Sequence, residues 1–496
     1  MGVVKDAKIA RKCAKKLLAK LGREPTQAEI AKAVEKKKAK KGKAAPDAAA
    51  QGDATPTAAA PPPASASGAA YLAEHAVAFT RDGAPAAAAI EPVVAFADAA
   101  ALFGGDVAAR LGAAFAAPTP VQAVAWPAAC GGGDVVALAK TGSGKTLAYL
   151  LPAFRAAAAA PAGSLAVVVL APTRELAIQI GADAAAWGGR METVVVYGGA
   201  DRRGQQRELR AKRPSCVVAT PGRLKDFVDD RSLDLAAVAC VVLDEADRML
   251  DMGFEPQLAA IVDAMDKGAD TERQTLFFSA TWPAGVRKLA SKYARGAAGP
   301  PLVVSIGGAL GDGDGSGLRA NAAIGQSFFK LDDSEKDEQL AKLIDGMSDS
   351  DRMICFTNTK RRVDYLAKSL WADGFGASAI HGGRSQAERE EALRKFKTNE
   401  WPLMFATDVA ARGLDLPDVS VVVNFDMPRD VEQYVHRIGR TGRAGKSGRS
   451  VTFWNPAYDT ECAGALAKIA RDAGQPVPDW LDAVAAKGKA GKNWAV

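Results

Sequence analysis

VVLDEADRML, Val241–Leu250, sets the problem for the whole chain. Three apolar residues that favour strands run straight into Asp244, Glu245 and Asp247, after which an apolar pattern of helical spacing resumes. A short apolar run of this kind reads as a central strand of a parallel sheet. Carboxylates crowded at the end of such a strand repel one another and lose hydration, at a cost of several kcal/mol unless something compensates. Ligands of parallel sheets sit beyond the carboxyl ends of the strands. A hydrated divalent cation carrying phosphates would suit these acids.

A phosphate site stands upstream. AKTGSGKT, Ala139–Thr146, directly follows the strand pattern VVAL. Gly142 and Gly144 let the backbone wrap, so that Thr141, Gly142, Ser143 and Gly144 can aim successive N–H groups at phosphate oxygens. Lys145 can reach the β/γ-phosphates and Thr146 can ligate Mg²⁺. The usual pattern begins with Gly, and Ala139 stands there instead. With ATP and Mg²⁺ as cofactors, Asp244 joins Thr146 as a metal ligand and Glu245 orients or deprotonates the attacking water. Asp247 is left for a coupling contact.

The rest of the chain frames these motifs. Of 496 residues, 48% are hydrophobic and 24% charged, which suits two or three soluble domains. Six cysteines form no CxxC pair, and Cys216, Cys240 and Cys355 fall inside strand patterns, so buried reduced thiols in a reducing, intracellular compartment are expected. No apolar run reaches membrane-spanning length and no signal core opens the chain, so no membrane role is expected. The net charge of +7 is unevenly placed: residues 1–43 hold thirteen Lys and two Arg against four acids, a net +11, and the remainder carries −4.

That basic arm has helical punctuation, with Leu21-Gly22 as a C-cap and Thr26/Glu29 as a capping box. It reads as a solvated charged segment, a nuclear-import signal or an electrostatic RNA tether. Residues 44–89 begin with an Ala/Pro/Ser-rich stretch and read as a linker. Strand-like runs then alternate with helix-length segments over 90–305 and again over 323–456, the signature of two α/β domains with parallel sheets. A Gly/Asp-rich stretch, 306–322, separates them, and 457–496 reads as a tail with a small helix and a basic end.

Together with these, PTPVQ (Pro118–Gln122), PTRELA (Pro172–Ala177), Gly198-Gly199, TPGR (Thr220–Arg223), SAT (Ser279–Thr281), ATDVAARGLD (Ala406–Asp415) and HRIGRTGR (His436–Arg443) follow in one order. In that order and spacing the sequence resembles the DEAD-box RNA helicases over roughly 90–456. The resemblance implies two tandem RecA-like domains that close on ATP and on single-stranded or short duplex RNA. SATWP and DEADRMLDMGFEPQ are similar to the branch that remodels nuclear ribonucleoproteins and ribosome precursors. This implies RNP proteins as partners, a monomeric enzyme, and a nuclear or nucleolar location, with the cytoplasm as alternative.

Carried over by residue, the resemblance implies that Gln122 reads adenine and Phe96 stacks on it. Asp415 contacts the ribose. Ser279, Thr281 and His436 couple the acids to domain closure, and Arg440 and Arg443 act on the γ-phosphate. Thr173, Arg174, Gly199, Thr220 and Arg223 of the first domain would contact RNA, as would Thr357, Gln386, Arg389 and Thr407 of the second. Two departures stand out: Ala114 precedes Phe115 where Gly is usual, and HGG (His381–Gly383) replaces HGD. Intact Lys145, Asp244, Glu245, Arg440 and Arg443 argue against a catalytically dead scaffold, and SAT with Gln122 argues against a DNA translocase. An ATP-gated RNA clamp whose hydrolysis a partner controls is the alternative to a helicase.

The arm yields a test of its own. Its +11 charge releases counterions on binding, so removing residues 1–43 should flatten the plot of log RNA affinity against log salt. An unchanged slope would leave the arm an import or protein-docking element.

Overall fold

In a computed structural model of the chain, the structure describes residues 68–86, 90–140, 142–158, 160, 161, 163–266, 273–294, 299–308, 320–408, 416, 419–442 and 446–487. The described residues up to 308 form one compact unit, and those from 320 onward form a second. Both are α/β units built on parallel sheets, as the alternating pattern predicts.

The first unit carries nine strands: β1 (Ala78–Arg81), β2 (Ala84–Pro85), β3 (Val135–Leu138), β4 (Val167–Leu170), β5 (Thr193–Val196), β6 (Cys216–Ala219), β7 (Cys240–Asp244), β8 (Gln274–Ser279) and β9 (Leu302–Ser305). They lie in the order β2-β1-β9-β3-β8-β7-β4-β6-β5. The seven strands from β9 to β5 run parallel. Every residue of β3, β4, β6, β7 and β8 is buried. Alternate side chains feed opposite faces: Val136, Val168, Leu243 and Phe277 join one apolar cluster, Ala137, Val167, Val242 and Phe278 the other. Helices cover both faces, which explains why these strands read as unbroken apolar runs.

The second unit holds β10 (Ile324–Lys330), β11 (Met353–Phe356), β12 (Ala377–Ile380), β13 (Leu403–Ala406), β14 (Val421–Asn424) and β15 (Gly448–Trp454) in the all-parallel order β10-β15-β14-β11-β13-β12. One face packs Met353, Cys355, Phe405, Val423 and Phe453 into a single core. The five described cysteines are all free, and burial pushes the Cys216 thiol up to about 12. Among the described residues no helix is long and apolar enough to cross a membrane.

Two boundaries move. The expected linker 44–89 gives way to structure at 68: a helix, Gly68–Glu74, leads into β1, which pairs antiparallel with β9. Asp82 and Gly83, with φ of 52° and 77°, close the two-residue turn to β2. Positive φ at both positions matches the twist of a hairpin. The expected tail also contributes more than its one small helix. Helix Ala463–Asp472 buries Leu466 and Ile469, and Gln326 N donates to Gln475 Oε1 at 3.3 Å. Helix Asp479–Lys487 brings Trp480 against Trp454, ring centroids 5.1 Å apart. Residues 457–487 therefore belong to the second unit. The helices expected in the basic arm, the stretch 309–319 and the basic end of the tail lie outside the described residues.

Tyr71, Leu72, Val77 and Phe79 pack against the first unit's core. Removing residues 1–86 rather than 1–67 should strip this cover and bare the β9 edge, which invites aggregation. The melting temperature should fall by roughly 2–4 °C for each kcal/mol lost. Equal melting of the two truncations would show that β1 is dispensable.

Candidate nucleotide and RNA site

The loop after β3 and helix Lys145–Ala157 brings the residues expected to bind phosphate to the carboxyl edge of the sheet. Gly142 and Gly144 have φ of 76° and 88°, the left-handed region that glycine adopts without a steric cost. A Cβ at Gly144 would stand 2.9 Å from Gln122 Nε2 and 3.0 Å from Thr119 Oγ1. Gln122 explains that crowding. Its Oε1 accepts from Thr119 N at 3.0 Å and its Nε2 donates to Gly144 O at 3.1 Å, so one amide ties the start of helix Pro120–Cys130 to the loop. Lys145 is buried, and its Nζ donates to Ala139 O at 3.1 Å. Thr146 is half-buried in the first turn, and Thr141 lies outside the described residues. Phe96 is only 8% exposed, with its ring 6.4 Å from Trp126 and 6.5 Å from Phe115, so little of its face is open to a base.

The acids stand on the neighbouring strands. Asp244 ends β7, and Glu245 turns the chain into helix Ala246–Asp251 with φ and ψ both 51°. A left-handed Glu is strained, and strain of this kind gathers at functional sites. Burial pushes the Asp244 carboxyl up to about 6 and the Glu245 charge adds to this, while the Lys145 charge and a hydrogen bond from Tyr149 oppose. Tyr149 Oη donates to Asp244 Oδ2 at 3.0 Å, and Glu245 N donates to Oδ1 at 3.0 Å. Thr281 Oγ1 donates to Asp247 Oδ2 at 2.8 Å, joining the DEAD and SAT stretches directly. Ser279 is fully buried at the end of β8, and its carbonyl accepts from Ala139 N at 3.0 Å.

Three buried polar atoms of this cluster, Ser143 Oγ, Glu245 Oε2 and Ser279 Oγ, have no hydrogen-bond partner among the described residues. Together with the glycine cradle they fit a polyanion and the water that attacks it. Among the described residues no group of three or more His, Cys, Asp or Glu forms a metal cage. One carboxylate and one hydroxyl beside a phosphate loop is instead how Mg²⁺ is held, since it keeps most of its waters and shares the phosphates.

The first unit's expected RNA residues also meet. Thr173 caps helix Arg174–Trp187, its Oγ1 accepting from Leu176 N at 3.3 Å. Arg174 lies over Gly199, where φ is 80° and a Cβ would collide with the guanidinium. Thr220 Oγ1 accepts from Gly198 N at 3.3 Å, and Arg223 donates to Ala200 O at 3.2 Å and to Gln205 Oε1 at 2.7 Å. Gln205, which no motif flagged, braces this loop by also donating to Tyr197 O at 3.2 Å. Burial lowers the Arg223 pKa, and the charges of Arg202 and Arg174 push the same way while Asp226 and Asp201 oppose. Three guanidinium groups in one place suit an anionic backbone.

In the second unit Thr357 and Thr407 follow the adjacent strands β11 and β13, with Thr357 N donating to Ala406 O at 3.0 Å. Gln386 and Arg389 stand one turn apart in helix Gln386–Lys397, capped by Ser385. His381, in the HGG stretch, is ordered by Asp364, 2.9 Å from its Nε2. Burial would raise the Asp364 pKa, but hydrogen bonds from His381 and Arg384 hold it below the usual value. His436 and Arg440 are both buried, and Arg440 Nε donates to His436 O at 3.3 Å. Asp415 and Arg443 lie outside the described residues. Arg437, inside the HRIGRTGR stretch, is its buried anchor, donating to Asp408 at 2.6 and 2.7 Å and to Asp426 O at 2.7 Å.

Comparison with known proteins bears on both units. The family model described as DEAD/DEAH box helicase matches residues 119–289, and that described as helicase conserved C-terminal domain matches 335–445. DEAD-box ATP-dependent RNA helicase 14 of Arabidopsis thaliana is 42% identical over 389 residues, 77% of this chain and 60% of its own length. DEAD-box ATP-dependent RNA helicase 20 of the same plant is 44% identical over 371 residues, 74% of this chain and 71% of its own. The chain thus spans less than two thirds of some relatives it matches. Among solved structures, Mss116p bound to ssRNA and AMP-PNP aligns with a TM-score of 0.67 at 28% identity, covering 79% of this chain and 81% of that one. S. cerevisiae Dbp5 bound to RNA and ADP BeF3 aligns with a TM-score of 0.64 at 26% identity, covering 77% and 97%. Two family models on the two sheets, and relatives of this identity across both, lead to one conclusion: the chain belongs to the DEAD/DEAH box helicases.

Proposed function

We propose that the chain is an ATP-dependent RNA helicase that couples ATP hydrolysis to RNA binding, local duplex unwinding and the remodelling of RNA–protein complexes. The observation that carries this reading is the cluster of Lys145, Asp244, Glu245 and the Thr281–Asp247 hydrogen bond at the ends of β3, β7 and β8. It sets a phosphate-binding lysine, two acids and a coupling contact on adjacent strands of one rigid sheet. Relatives seen with ssRNA and nucleotide support the choice of ligands.

The chemistry divides among named residues. Lys145 and the loop N–H groups bind the phosphates. Thr146 and Asp244 would hold Mg²⁺, which when bound neutralises charge on the phosphates. Glu245, with Oε2 unpartnered among the described residues, orients or deprotonates the attacking water. Arg440 and Arg443 neutralise charge on the γ-phosphoryl group as it transfers. The Gln122 amide has a second N–H and a second lone pair, so it can read adenine while still holding the loop. Asp247 with Thr281, Ser279 and His436 link hydrolysis to RNA binding. Thr173, Arg174, Gly199, Thr220, Arg223, Thr357, Gln386, Arg389 and Thr407 supply hydroxyl, backbone and cationic contacts suited to a sugar-phosphate backbone and its 2′-OH. Work on ribosome precursors or pre-mRNA in the nucleus fits the basic arm, with its run Lys36–Lys43, and belongs to the same proposal.

Glu245→Gln tests the division of labour. Turnover should fall by about 10²–10⁴, the usual range for a lost base or electrostatic group, while ATP and RNA affinities hold. Wild-type turnover in this variant would contradict the assignment.

A further inference from the structure

We propose that Tyr149 is a positioning residue that fixes Asp244 in the orientation needed for Mg²⁺·ATP. The proposal rests on the nucleotide-site reading above and adds to it a residue that no motif contains.

Tyr149 follows Lys145 by four residues, so both side chains leave the same face of helix Lys145–Ala157. Lys145 reaches back to the loop, and Tyr149 reaches across the sheet. The ring is fully buried and meets Phe278 edge-on, with centroids 5.1 Å apart and planes at 67°. Phe278 lies opposite Asp244 in the β7–β8 register and immediately precedes Ser279. The ring is thus held by the strand beside the acid, which leaves its hydroxyl little freedom.

The two oxygens of Asp244 each receive one fixed donor, Tyr149 Oη on Oδ2 and Glu245 N on Oδ1. A carboxylate oxygen has two acceptor sites, so each keeps one for a hydrated cation or its waters. The backbone donor comes with the strand-to-helix turn, but the phenol does not. A Phe at 149 would fill nearly the same volume and keep the Phe278 contact, leaving Oδ2 free to rotate away or to attract Lys145. Outer-shell groups that orient metal ligands typically contribute 10–100-fold in metal affinity or activity.

The experiment is Tyr149→Phe in the full chain, read by Mg²⁺ titration of a fluorescent ATP analogue's binding and of ATP turnover. The half-saturating Mg²⁺ concentration should rise about tenfold in both. Turnover at saturating Mg²⁺ should return to near the wild-type value, with nucleotide-free melting lowered by no more than the loss of one buried hydrogen bond. A general packing defect would instead lower turnover at every Mg²⁺ concentration. The second arm combines Tyr149→Phe with Asp244→Asn. Once the carboxylate is gone, loss of the hydroxyl should shift the Mg²⁺ curve of analogue binding no further. A Phe variant whose Mg²⁺ curve superposes on wild type, or additive shifts in the double variant, overturns the proposal. Should wild-type nucleotide binding ignore Mg²⁺ altogether, the nucleotide-site reading falls and this one with it; an unshifted Phe variant beside a responsive wild type sinks only Tyr149.

Discussion

Asp244 is taken out of water at the end of a strand covered by helices on both faces, beside a second acid whose charge repels it. Its carboxyl stands near 6 against an ordinary 3.8, a difference of about 3 kcal/mol between the charged and neutral forms. Because the folded value is the raised one, this cost is absent well below pH 4. It grows as pH rises through the interval to about 6 and is present in full at neutral pH. It is what is left after the charge of Lys145, the hydroxyl of Tyr149 and the N–H of Glu245, which all favour the charged form, have reduced the cost of burial. The remainder is an electrostatic demand that a cation on phosphates would meet. A site that destabilises the empty fold is thereby stabilised by its ligand.

The parallel sheet makes that arrangement possible. Strands β3, β7 and β8 are neighbours running the same way, so the loops carrying Lys145, Asp244 and Thr281 emerge at one edge although they lie far apart in the chain. The hydrogen bond from Thr281 to Asp247 then ties two of these loops together, so that movement in one is felt by the other. The second unit repeats the design with different chemistry. Thr357, His381 and Thr407 follow β11, β12 and β13, and buried Arg437, paired with half-buried Asp408, locks the stretch that carries His436 and Arg440 to the end of β13. Removing Asp408 would leave the buried guanidinium without its counter-charge, so that lock is costly to break.

Much of this was legible in the sequence because fully buried strands leave a strong mark. VVL, VVVL and LMFA are unbroken apolar runs, and chemistry-bearing residues follow closely behind them. Strand β1, which lies between the short edge strand β2 and β9, leaves a faint mark because Ala78–Arg81 is only partly buried and sits after a long Ala/Pro/Ser stretch. Its one clear sign was Asp82-Gly83, a two-residue hairpin signal. Helix Ala463–Asp472 is faint in the sequence although Ala463, Leu466 and Ile469 recur every three residues, because its alanines make a weak apolar stripe. The roles of Tyr149, Gln205 and Arg437 are hidden for a different reason. Each acts through a partner 8 to 95 residues away, and no local pattern encodes such a contact.

The central claim is that this edge hydrolyses ATP and that RNA controls it. The most direct measurement is steady-state ATP turnover by the full chain without nucleic acid, with single-stranded RNA, and with single-stranded DNA of the same sequence. The hydroxyl and backbone contacts proposed for RNA can distinguish the 2′-OH, so RNA should stimulate turnover strongly and DNA should not. Turnover that is the same in all three conditions, or raised equally by DNA, would contradict the account.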